Sequence, residues 1–165
     1  MVMRGYFMAE RKKREEWELL MIGEWLSKTF PDARYQTRVR LGQTEPRLPD
    51  GRYTPEEVKY LGVWRRYVDA IVFLSDRLLL IEAVLRAHPG KLSILKLYER
   101  LIPHTPELAE WSHLPIQKVL LYAIEDPVLT MMAKEEGTLA VQFVPSFFDR
   151  WFETLRGRDQ RAPES

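Results

Sequence analysis

Two acidic residues stand inside stretches that are otherwise apolar: Asp69 in Tyr67-Val68-Asp69-Ala70-Ile71-Val72, and Glu82 in Leu79-Leu80-Ile81-Glu82-Ala83-Val84. An unpaired carboxylate in such a setting is costly, so a cation or hydrogen-bond donors must compensate it. The two lie 13 residues apart around a short turn at Ser75-Asp76, and on adjacent strands of a hairpin their side chains can fall on one face. There they can share one hard divalent cation, Mg²⁺ or Mn²⁺, with the backbone carbonyl of Ala83 as a third oxygen ligand. A purely structural alternative is an ion pair between Asp69 and Arg65, Arg66 or Arg86.

The elements that position this pair follow from periodicity. Ala9 to Lys28 carries Trp17, Leu20, Met21 and Trp25 at helical spacing, and Phe30-Pro31-Asp32 stops it. Ala33 to Leu41 alternates, with Tyr35, Thr37, Val39 and Leu41 set against Arg34, Gln36, Arg38 and Arg40, which reads as a half-buried strand with one basic, wet face. Gly42 to Tyr60 is rich in Pro and charge and reads as a long loop with a helical turn at Thr54-Pro55-Glu56-Glu57. Trp64 to Leu74 and Arg77 to Arg86 are nearly all apolar, as centrally placed strands are.

After His88-Pro89-Gly90, the segment from Lys91 to Ile102 is helical in period, and a connection with His104, Pro106, Trp111 and Pro115 follows. Ile116 to Glu125 is a further strand, Asp126-Pro127 opens a helix that Gly137 closes, Leu139 to Val144 is a strand, and a last helix runs from a Ser146 cap to Arg156. The order predicts an α/β protein with a central mixed β-sheet flanked by helices. One domain over 1–157 and a disordered tail over 158–165 are expected.

Composition narrows the chemistry. With 25 Lys+Arg against 24 Asp+Glu the net charge is +1, so nucleic-acid contact must come from a local basic face. Arg38, Arg40, Arg65, Arg66, Arg86 and Lys91 are the candidates for such a phosphate-binding rim. The absence of cysteine excludes disulfides and thiolate metal sites, and His88, His104 and His113 show no zinc spacing. No apolar run approaches the ~20 residues that span a bilayer, and Arg11-Lys12-Lys13-Arg14 leads into Glu15-Glu16 instead of a signal-peptide core. The expected location is cytoplasmic, or a virion for a phage-encoded protein. The lack of asparagine also fits a thermophile.

In this hairpin and its surroundings the chain resembles the PD-(D/E)XK (restriction-endonuclease-like) nuclease superfamily, in particular its RecB-like and phage-encoded members. The resemblance implies a restriction-endonuclease-like core over roughly Ala9 to Arg156, with Asp69 and Glu82 as metal ligands. It also implies a lysine two residues after the glutamate, where this chain has Val84, and a Gln-x-x-x-Tyr motif, of which Tyr98 is present but Ile94 replaces Gln. Glu18 or Glu24 would be the extra acidic residue that many members carry near the metal.

Valine at position 84 cannot donate a hydrogen bond or stabilise charge on a phosphate. Together with Ile94 this points to an inactive or very weak nuclease serving as a DNA-associated or assembly module, with protein partners or self-assembly, for example among the structural proteins of a thermophilic phage. Such a pseudonuclease needs no cofactor. The alternative is an active Mg²⁺-dependent DNA endo- or exonuclease with a relocated lysine; Lys96 is the preferred replacement, being nearer the Tyr98 turn, and Lys91 the second.

Overall fold

The computed structural model describes the backbone of residues 2–42, 54, 56 and 66–159, and within them the side chains of residues 14, 16–42, 54, 56 and 66–157. The predicted strand residues 64 and 65, with the candidate Arg65, most of the 43–60 loop, including Pro55 and Glu57 of its helical turn, and the 160–165 tail lie outside the described residues.

Helix α1 (Val2–Thr29) is followed by strand β1 (Arg34–Leu41), β2 (Arg66–Phe73), β3 (Leu78–Arg86), helix α2 (Pro89–Leu101), β4 (Ile116–Ile124), α3 (Pro127–Glu135), β5 (Leu139–Gln142) and α4 (Phe148–Asp159). Two short 3₁₀ turns, Ile102–His104 and Pro106–Trp111, occupy the Pro-rich connection after α2. The strands form one five-stranded mixed sheet in the order β1-β2-β3-β4-β5. The pairs β1–β2 and β2–β3 are antiparallel, and β3–β4 and β4–β5 are parallel. This is the α/β architecture expected of a restriction-endonuclease-like core.

The strand faces explain the packing. Leu79, Ile81, Ala83 and Leu85 of β3 meet Met21, Ile22, Trp25 and Leu26 of α1 and Trp151 of α4. The alternate residues Leu78 and Leu80 meet Leu92, Leu95, Tyr98 and Leu101 of α2 and Leu129 of α3. With both faces covered, β3 and β4 must be continuous apolar runs, and each fully buried Leu or Ile there contributes about 2 kcal/mol of transfer free energy. Glu82 at 2% exposure and Lys118 at 9% are the charged residues buried within these strands.

Two sequence readings are corrected. β1 is not half-buried: only Leu41 is buried and Val39 partly so, because β1 is the sheet edge, whereas α1 packs mainly on β3. Tyr35 is 46% exposed as a result. The last helix also starts at Phe148 and not at a Ser146 cap; the Ser146 amide and hydroxyl both donate to the Glu24 carboxylate of α1. By contrast Asp126 does cap α3, accepting from the amides of Val128 and Leu129, and Gly137 leaves that helix at φ +69.

Candidate active site

The sheet forks at the two acidic residues. β1 stays paired with β2 down to Leu41–Arg66, and β3 stays paired with β4 up to Arg86–Ile124, but the β2–β3 ladder stops at Ala70–Ile81. Beyond that point carboxylates replace backbone partners. The Asp69 amide donates to Glu82 Oε1 at 3.2 Å, and the Ala83 amide donates to Asp69 Oδ2 at 2.9 Å. Each acidic residue thereby satisfies an amide that the parted strands would leave unpaired.

A cation closes the arrangement. Lys91 Nζ lies 2.7 Å from Glu82 Oε2 and 3.4 Å from Asp69 Oδ2. It comes from the first turn of α2, which starts immediately after β3. Pro89 occupies the first helical turn and His88 caps it, accepting from the Gly90 amide, so α2 begins where the strand ends. Among the described residues the cation that meets Asp69 is Lys91, and no ion pair joins it to Arg66 or Arg86.

The electrostatics are those of two carboxylates sharing one ammonium. Burial first, and then the neighbouring Asp69 charge, push the Glu82 carboxyl up to about 8 in spite of Lys91. Burial works against the Lys91 charge, but Glu82, Asp69 and Glu18 together outweigh it and hold that amine above the ordinary lysine value. Burial, followed by Glu82 and Asp69, raises the Tyr98 phenol to about 12, which keeps it protonated.

An open cleft of about 1400 Å³ fronts the group. Arg14, Trp17 and Glu18 of α1 line it, with Arg38 of β1, Tyr67 and Asp69 of β2, and Glu82, Val84 and Arg86 of β3. Lys91, Ile94 and Tyr98 line it from α2. Arg38 stands opposite Asp69, at the gap between the Thr37–Ala70 and Val39–Val68 pairs, and has a left-handed φ of 53°. Such a backbone in a non-glycine residue costs free energy and is common at functional sites.

Asp69, Glu82, Lys91, Val84, Ile94, Tyr98, Arg38 and Arg86 therefore converge on one cleft, and Val84 stands on the face and strand of Glu82 with no charge to offer. Lys96 does not join them: its Nζ pairs with Glu136 at 2.8 Å, and it is absent from the cleft wall. Five residues beyond Lys91 along a helix means a rise of about 7.5 Å and a turn of about 140° away. Arg40 is exposed outside the cleft, and Arg66 reaches the site only through its charge on Tyr98. Of the two α1 acids, Glu18 is buried on the cleft wall, whereas Glu24 is held by Ser146. Tyr67 and Arg14 carried no motif in the sequence; only the two-residue step from Asp69 marks Tyr67.

The donor set suits a hard divalent cation with few protein ligands. Among the described residues no group of three or more His, Asp or Glu converges as a metal cage. The two carboxylates nonetheless meet at the cleft, and among the described residues Asp69 Oδ1 accepts no hydrogen bond. The Asp69 side chain is 23% exposed against 3% for Glu82, so Asp69 is the more solvent-facing of the two carboxylates. One or two carboxylates, completed by water and substrate phosphate, are the usual protein contribution to Mg²⁺.

No family model matches the chain, and no curated protein matches it in sequence. Among solved structures it is similar to a repair endonuclease from Pyrococcus abyssi, with 12% identity, a TM-score of 0.44, and coverage of 76% of this chain and 46% of that one. The chain thus spans less than half the length of that neighbour.

Proposed function

We propose that the chain is a divalent-metal-dependent nuclease in which Lys91, on the helix after β3, does the work of the lysine missing at Val84. The observation that carries this reading is the Lys91 ammonium 2.7 Å from Glu82 Oε2 and 3.4 Å from Asp69 Oδ2. Any carboxylate pair buried this deeply needs a compensating cation; what favours the relocated lysine over a pseudonuclease is that Lys91 meets both carboxylates on the wall of the open cleft, where a substrate can reach it.

In this reading Asp69 and Glu82, with the Ala83 carbonyl, would hold Mg²⁺ or Mn²⁺, and a bound ion would supply Lewis-acid activation of the phosphate and of the attacking water. Lys91 stabilises charge building on the phosphate oxygens. Tyr98, its phenol raised to about 12 by burial, lines the cleft and has an O–H to donate. Arg14, Arg38 and Arg86 line the cleft with fixed positive charge suited to a nucleic-acid backbone. In the overall reaction water oxygen bonds to phosphorus, the bond to the leaving sugar oxygen breaks, and that oxygen takes up a proton.

The test is cleavage of linear, circular and single-stranded DNA in Mg²⁺ or Mn²⁺ by the wild type, Asp69→Asn and Glu82→Gln. The expected outcome is metal-dependent cleavage that each substitution lowers by a factor of about 100 or more. Absence of wild-type cleavage on all three substrates with both metals contradicts the reading and directs attention to binding partners.

A further inference from the structure

Counting the oxygens of the carboxylate pair leads beyond the reading above, on which the following rests. Asp69 Oδ2 already accepts from the Ala83 amide and lies near Lys91 Nζ. Glu82 Oε1 accepts from the Asp69 amide, and Glu82 Oε2 accepts from Lys91. The Lys91 ammonium thus touches one oxygen of each carboxylate, and a cation that bridges those same two oxygens meets the lysine.

We propose that Lys91 is a tethered competitor of the metal: its ammonium occupies the cation position between Asp69 and Glu82 in the metal-free protein and must swing away when a divalent ion binds, so that this one side chain sets the metal affinity of the site. Two positive centres cannot share so small a space without strong repulsion. The lysine has somewhere to go. Its Cα is fixed in the first turn of α2, but its four-carbon stem is flexible. Glu18, buried on the same cleft wall and paired with Arg14 at 3.9 Å, is one acceptor in the cleft, and a substrate phosphate is a second destination. Lys91 would thus hold the fork together until metal arrives, then face the substrate, which couples its structural role to its catalytic one.

The competition is tested by calorimetric titration of Mg²⁺ into the full chain at pH 8.5, comparing wild type with Lys91→Met and Asp69→Asn. Removal of an internal competitor is expected to tighten Mg²⁺ binding by about tenfold, while Asp69→Asn loses binding. If Lys91→Met binds Mg²⁺ no more tightly than wild type while Asp69→Asn still loses it, the competition is overturned and the metal site stands. If neither wild type nor Lys91→Met binds Mg²⁺, both readings fall.

A measurement on the unaltered protein guards against a variant that does not fold. Reductive methylation of lysines, read by mass spectrometry, is expected to label Lys91 several-fold faster with saturating Mg²⁺ than without it. Lys118, bound to Glu99 at 2.6 Å and away from the cleft, is the internal reference. A Lys91 labelling rate unchanged by Mg²⁺ overturns the displacement.

Discussion

Glu82 is held against two opposing demands. The sheet buries it beside a second carboxylate, which favours its neutral form, while two donors, the Asp69 amide and the Lys91 ammonium, favour the charged one. Burial and Asp69 prevail, giving a carboxyl at about 8 where an ordinary one lies near 4.5. On that direction of shift the folded chain is expected to hold a proton that the unfolded chain has released. Across the window from about 4.5 to 8 the metal-free protein should lose stability as pH rises, with the loss levelling off above that window. Denaturant midpoints of wild type and Glu82→Gln across the window check this: the slope assigned to Glu82 should be present in the first and absent in the second. Identical pH profiles would mean that Glu82 is ionised throughout.

At the scale of elements, the site depends on where strands part and helices begin. Arg38 sits opposite the parting, on the edge strand, with a left-handed backbone that glycine adopts freely and a β-branched residue resists. Arg38→Val is accordingly expected to be less stable than Arg38→Gly by about 1 kcal/mol or more, measured by chemical denaturation. Equal stability of the two variants would remove the strain from the account. Much of this scaffold was legible in the residues. Arg77 to Arg86 and Ile116 to Glu125 read as apolar strands, and β3 and β4 form there, at Leu78–Arg86 and Ile116–Ile124, apolar because helices cover both their faces. Asp126-Pro127 read as a helix start because cap and first-turn proline coincide.

The misreadings have physical causes at the same scale. Alternation along Arg34 to Leu41 signals one buried face only if something covers it, and at the sheet edge little does. Ser146 has the chemistry of a cap, but Glu24, 122 residues away in sequence, claims both its amide and its hydroxyl. The choice between Lys91 and Lys96 turned on where α2 begins. Pro89 puts Lys91 in the first turn, beside the end of β3, and sends Lys96 toward Glu136. Nearness to Tyr98 pointed to Lys96, whereas the proline at the first helical position is the signal that places Lys91.

At the scale of the whole molecule, a net charge of +1 excludes a general attraction for nucleic acid, and the basic side chains that matter are those gathered at one cleft. No described helix is long and apolar enough to cross a membrane. The acidic pair was legible in the sequence as two charges in apolar strands; the fork and the cleft were not, because they arise from the relation between β2, β3 and α2. That relation makes the position of the lysine in space, and not its place in the motif, the central claim.

The most direct test is cleavage of DNA in Mn²⁺ by wild type, Lys91→Met and the double variant Val84→Lys/Lys91→Met. The expected result is a loss of about 100-fold in rate in Lys91→Met, with part of the rate restored when the ammonium is returned to the same carboxylates from position 84. Cleavage by Lys91→Met at the wild-type rate would contradict the account.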